Sequence, residues 1–155
     1  MYRACVRSVL LYASETWALK NEDLHRLERN ENSMIRWICS VKLCDRKSMK
    51  ELRRMLGLCN IASQMRCNRL RWFGHLERME LNSWPNSIRH FVVEGHVARG
   101  GQKKRWIHNI NRDLKDLHLN PELTQDRSIW RRRIQPQHDI VQPPNMGNHR
   151  RLTEE

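Results

Sequence analysis

Large apolar residues recur along this chain at steps of three, four and seven, and that spacing limits its fold more than any other feature. Ile61, Met65, Trp72, Leu76 and Met79 lie on one face of a helix drawn over about 60–79. Trp106, Ile110, Leu114 and Leu117 line one face of another over about 103–117. Only 88–97 leaves a strand and a weak helix both open, because His90, Glu94, Gly95 and His96 interrupt either period. The expected fold class is therefore all-α, a small irregular helical bundle.

Local signals set the boundaries. Val6, Val9 and Leu10 suggest a short first helix ending near Tyr12. Asn21 is a candidate cap for a second, with Glu22 and Asp23 in its first turn, where carboxylates suit the helix dipole. Its stripe is Leu24, Leu27, Met34, Ile35 and Ile38, broken by the polar Asn30-Glu31-Asn32. Ser48 and Glu51 have capping-box spacing ahead of a third helix with Leu52, Met55 and Leu56 on its face, and Gly57 suits its C′ position. Ser83-Trp84-Pro85-Asn86 reads as a turn. Asn120-Pro121 precedes a last helix over 126–134, with Ile129-Trp130 facing inward. These elements amount to about five to six helices across 1–134. From Gln135 onward Pro, Gln, Asn and His leave nothing for a core, so 135–155 is expected to be a disordered tail.

The 155 residues fit one ordinary domain or part of a larger one. Hydrophobic residues make up 39%, so the core must be modest. Net charge is +12, spread through the apolar-periodic segments instead of gathered in a terminal tail. Charge of that size points to a polyanionic partner, nucleic acid or an anionic membrane surface. Val9 to Ala13 is too short an apolar run for a signal peptide, and no run approaches the ~20 apolar residues of a membrane span. An intracellular place, nucleus or cytoplasm, is expected. Five cysteines without a regular framework are expected to be free thiols.

Two segments interleave cations with tryptophan, Arg69 to Arg78 around Trp72 and Arg99 to Trp106. Guanidinium and ammonium groups bind phosphate without reading sequence. The candidate nucleic-acid-binding residues are Arg66, Arg69, Arg71, Arg78, Arg99, Lys103, Lys104 and Arg105. Arg71 and Arg78 point away from the apolar face, Arg66 lies to one side and Arg69 at its edge. Gly100-Gly101 brings flexible backbone to a cationic helix start, whose free N–H groups can also face phosphate. Trp72 and Trp106 fall on apolar stripes, which favours core anchors over base-stacking platforms. Arg131-Arg132-Arg133 is a further candidate phosphate patch.

Four stretches in order carry a resemblance. Leu10-Leu11-Tyr12-Ala13-Ser14-Glu15-Thr16-Trp17 resembles the LLYGSETW stretch of LINE-like (non-LTR) retrotransposon reverse transcriptases, which follows their polymerase core. Arg69 to Met79 is similar to that family's RLRWFGHVxRM, Arg99 to Trp106 to its RGRPRKRW, and Asp126 to Arg131 to its DRxxWR. Ala13 stands where the family usually has Gly, and Gly101-Gln102 replace an Arg and a Pro. The family's palm carries Tyr/Phe-x-Asp-Asp, whereas this chain has no Asp-Asp pair. The resemblance thus implies a thumb and post-polymerase segment without the catalytic core. It implies contact with RNA or DNA through the phosphate backbone, and packing against a palm domain.

Other chemistry finds little footing. Two-metal catalysis needs converging carboxylates. Asp113 and Asp116 share a helix but alternate with Arg112 and Lys115, which reads as a solvated face. Four residues separate Cys39 from Cys44 and seven separate Cys59 from Cys67, spacings that do not make a compact zinc knuckle. No cofactor is expected, nor a nucleophilic Cys–His pair. The expectation is a non-catalytic nucleic-acid-binding segment. Its rivals are an active enzyme, a helical protein-interaction module and a genomic remnant with no selected function.

Overall fold

A computed structural model of the chain describes residues 2–80, 82–90 and 104–136. Among them are seven α-helices and no strand. The helices are α1 (Val6–Leu10), α2 (Asn21–Ile38), α3 (Met49–Met55), α4 (Ile61–Glu77), α5 (Trp84–His90), α6 (Trp106–Asp116) and α7 (Arg127–Arg133). Short 3₁₀ turns occur at Ser14–Thr16, Leu43–Asp45 and Pro121–Thr124. The all-α class read from apolar spacing holds. The expected disordered tail falls almost wholly on 137–155, outside the described residues, as does 91–97 of the ambiguous segment.

Helix α4 is the axis. The Asn60 side chain caps it, accepting from the Ala62 N–H at 2.8 Å. The expected single apolar stripe is too narrow a picture. Ile61, Met65, Cys67, Leu70, Phe73 and Leu76 are all buried, because α2, α6, α7 and two of the 3₁₀ turns pack around the helix. A surrounded helix must be apolar or small on more than one side. Gly74 shows how small: a Cβ there would lie 2.4 Å from Nε1 of Trp130, so α7 meets α4 at a distance only glycine allows. The same Trp130 Nε1–H donates to the Leu70 carbonyl at 3.0 Å.

The core has two parts. One joins Cys67, Leu70 and Phe73 of α4 to Ile110 and Leu114 of α6 and to Trp130 and Ile134. The other joins Ile35 of α2 to Leu52 of α3 and Leu58. Gly57, at φ +62°, closes α3: its N–H and that of Leu58 donate back to Arg54 and Arg53 carbonyls at 3.1 and 2.8 Å.

The polar gap in α2 is filled from inside. Glu31 is fully buried and pairs with Nε of Arg7 at 3.2 Å. Arg7 also donates to the Cys59 carbonyl at 2.5 Å. Burial pushes the Glu31 carboxyl up, while Arg7 and Arg53 oppose the shift. A buried carboxylate needs a cation, so α1 turns Arg7 inward and leaves Val9 77% exposed, the reverse of its apolar reading.

Two further expectations are corrected. Ser83 to Asn86 is not a turn but the start of α5, with Asn86 and Ser87 N–H groups donating to the Ser83 carbonyl at 3.0 and 2.9 Å. Pro85 sits in that first turn, where a missing N–H costs nothing. In α7, Asp126 caps the Ser128 and Ile129 N–H groups and Trp130 is buried, but Ile129 faces outward. Ile134, four residues beyond Trp130, takes the inward place.

Candidate nucleic-acid interface

Asn68, the adjacent Arg71 and Trp72, His75 and the C-cap residue Arg78 follow one another at helical steps along one side of α4. That side forms the floor of a cleft of about 550 Å³. Arg127, Trp130 and Arg131 of α7 form one wall, with the two arginines one helical turn apart, and Glu15 of the 3₁₀ turn forms the other. Four guanidinium groups therefore share one cleft. No described carboxylate forms an ion pair with any of them. Glu15 is the only acidic side chain among the described lining residues. Arg78 donates to the Thr124 carbonyl at 2.5 Å, which fixes its position. Burial, then the charges of Arg127 and Arg131, lowers its pKa. The Trp72 and His75 rings stand 5.3 Å apart, tilted by 45°.

Arg66 and Arg69 leave α4 on another side and do not reach this cleft. Arg69 is buried and grips Asp113 of α6, its Nε at 2.8 Å and a terminal nitrogen at 2.6 Å from one carboxylate oxygen. Arg66 approaches Asp113 at 3.6 Å and Asp116 at 3.8 Å, and Arg112 approaches Asp113 at 4.0 Å. Asp113 is thus not part of a solvated face: it is fully buried and compensates several cations at once. Arg69 is removed from the candidate phosphate ligands because its charge is already matched inside the fold. Lys104 belongs to the same surroundings. Its pKa is lowered by burial and then by Arg112 and Arg69, with Asp113 opposing.

Arg105 is exposed and precedes α6 as its N-cap, its N–H donating to Nδ1 of His108 at 3.3 Å. It borders a second, smaller cleft of about 280 Å³. Trp72 and Trp106 both line this cleft, with Leu76 of α4, Pro85 and Ile88 of α5, and Ile107. Arg89 reaches it too, paired with Glu77 and lying 5.2 Å over the Phe73 ring. Trp106 is fixed by its Nε1–H, which donates to the Glu15 carbonyl at 2.6 Å. Arg99 and Lys103 lie outside the described residues.

The eight candidate cations therefore divide. Arg71 and Arg78 meet in the large cleft, Arg105 borders the small one, and Arg66, Arg69 and Lys104 gather around Asp113. Arg127 went unmarked in the sequence. Its four-residue step to Arg131, on a helix opened by Asp126, is the signal that finds it. All five cysteines are free thiols, Cys59 and Cys67 among them buried. Burial raises the Cys67 pKa. Among the described residues no three His, Cys, Asp or Glu side chains converge on a point where a metal ion would sit. Nor is any helix among them long and apolar enough to cross a membrane. No family model, curated protein or solved structure matches the chain.

Proposed function

We propose that this chain is a non-catalytic, nucleic-acid-binding helical segment that holds RNA or DNA by its phosphate backbone. The observation that carries the reading is the cleft between α4 and α7, where Arg71, Arg78, Arg127 and Arg131 face one another without an ion-paired carboxylate. Guanidinium groups brought together repel, and a row of phosphates relieves that repulsion while accepting bidentate hydrogen bonds. Such contacts position a strand without reading its bases.

The four motif stretches support a more specific origin, the thumb and post-polymerase part of a LINE-like reverse transcriptase. Ala13, where that family has Gly, adopts φ +54°, a backbone conformation that Gly takes without strain. Trp37, Leu43 and Met55 are 83, 81 and 66% exposed, which suits a segment that packs on a polymerase core in a complete enzyme. On this reading the complete protein is an RNA-directed DNA polymerase, and the chain lacks the paired aspartates that polymerisation needs. The genomic sequence upstream of Met1 tests that origin: an interrupted palm with an Asp-Asp turn is expected there.

Binding itself is tested by fluorescence anisotropy with labelled duplexes of unrelated sequence. Four neutralised phosphates give a salt slope near about −3.6, or a loss of roughly 150-fold between about 50 and about 200 mM salt. Replacing Arg71, Arg127 and Arg131 with Ala lowers the slope by about 0.9 per residue for every sequence alike. Affinity that ignores salt, or no binding at low salt, refutes the proposal.

A further inference from the structure

Trp72 is a wall common to both clefts. One holds the four arginines, with Trp130 the only other large apolar side chain among its described lining. The other is lined by Trp72 and Trp106 together with Leu76, Pro85, Ile88 and Ile107. The two clefts differ in chemistry as the two parts of a nucleotide do. Phosphate seeks several guanidiniums, whereas a base seeks an apolar slot with aromatic faces. At about 280 Å³ the apolar cleft is large enough for one base.

We infer that the surface across Trp72 binds a single strand, seating one unpaired base in the Trp72–Trp106 cleft and the adjoining phosphates among Arg71, Arg78, Arg127 and Arg131. The inference rests on the phosphate reading of the arginine cleft and adds the strand type. A duplex keeps its bases stacked inward and offers none to a recessed slot, while a single strand can turn a base out. The slot is held ready: the Trp106 Nε1–H bond to the Glu15 carbonyl fixes one wall, and the Glu77–Arg89 pair braces α5 against α4. Arg105 stands at its rim, where it meets the next phosphate along the strand. Trp106 thus packs against the core and lines the slot as well.

The test compares two single strands of equal charge, an oligothymidylate of about twelve nucleotides and an abasic strand of the same length. Anisotropy at fixed low salt reads both with the full chain. The oligothymidylate is expected to bind about fivefold to a hundredfold more tightly, the range for loss of one stacked base. Trp72→Leu is expected to bring that ratio to about one. Because Trp72 is half-buried, Ile88→Glu is the second variant: Ile88 is 54% exposed, so the fold tolerates it, and a carboxylate there spoils the slot. Equal binding of the two strands by the wild-type chain, with a steep salt dependence, overturns the base seat and leaves the phosphate reading standing. Failure to bind either strand overturns the single-strand assignment, and overturns the phosphate reading as well where duplexes also fail to bind. A ratio that survives in both variants also overturns the assignment.

Discussion

Replacing Asp113 with Ala is expected to destabilise the fold by about 3–5 kcal/mol. Asp113 is 0% and Arg69 5% exposed, and the two are joined by nitrogen–oxygen contacts of 2.8 and 2.6 Å. Without the carboxylate, the Arg69 guanidinium stays charged, because no pH that the fold survives deprotonates it. It would then sit buried near Arg66 and Arg112 with no carboxylate of its own, the exposed Asp116 being paired with Arg66. The cost is therefore that of an orphaned buried ion, well above the ~1 kcal/mol of a lost surface pair. For a domain of this size it corresponds to a melting temperature lower by about 10–20 °C. Urea unfolding followed by far-UV circular dichroism measures it. The companion variant is Arg69→Met with Asp113→Leu, which removes both ions and keeps apolar volume. It is expected within about 2 kcal/mol of the wild type, since buried pairs are often replaceable as pairs. A cost below about 1 kcal/mol for Asp113→Ala with an unchanged denaturant slope refutes the reasoning. So does a double variant as unstable as the single one.

Two glycine positions give further expectations. Ala13→Gly relieves a left-handed backbone at φ +54° and should raise stability by up to about 1 kcal/mol, the strain relief exceeding the entropy that Gly adds to the unfolded chain; a lower melting temperature contradicts that account. Gly74→Ala should lower stability by about 1–3 kcal/mol, because its Cβ would meet the buried Trp130 ring at 2.4 and 2.7 Å and force it off its hydrogen bond to the Leu70 carbonyl. A melting temperature unchanged by that substitution would mean that α4 and α7 do not pack as described.

Apolar spacing made the helices legible, because burial on one side writes a period into the sequence. The stripe Trp106, Ile110, Leu114 and Leu117 is found as read: Ile110 and Leu114 are buried and the other two half-buried. What the period conceals is polarity that folding turns inward. Glu31 looked like a break in α2 and Asp113 like a solvated residue, yet each is fully buried against an arginine 24 or 44 positions earlier in the chain. No local pattern links Arg7 to Glu31 or Arg69 to Asp113, since the partners meet only when helices pack. The same blindness misplaced Arg69 among the phosphate ligands. The cleft was half legible: Arg71 and Arg78 follow from helical spacing, but their meeting with Arg127 and Arg131 depends on how closely α7 approaches Gly74.

The placement of carboxylates then decides which cations remain for a partner. Helix α6 carries Asp113 and Asp116, and the arginines that face it, Arg66 and Arg69, are neutralised there. Helix α7 reads Arg-Ser-Ile-Trp-Arg-Arg-Arg and carries no acid at all; the Asp126 cap is occupied with backbone N–H groups, and Glu15, in the same cleft, forms no ion pair among the described residues. The side of α4 that meets α7 therefore keeps its charge. A fold that needed arginine only for solubility would have no reason to press four of them into one cleft, where each raises the cost of the others. The asymmetry between the two sides of α4, and not the net charge of +12, is what favours the proposed phosphate-binding surface over a merely basic one.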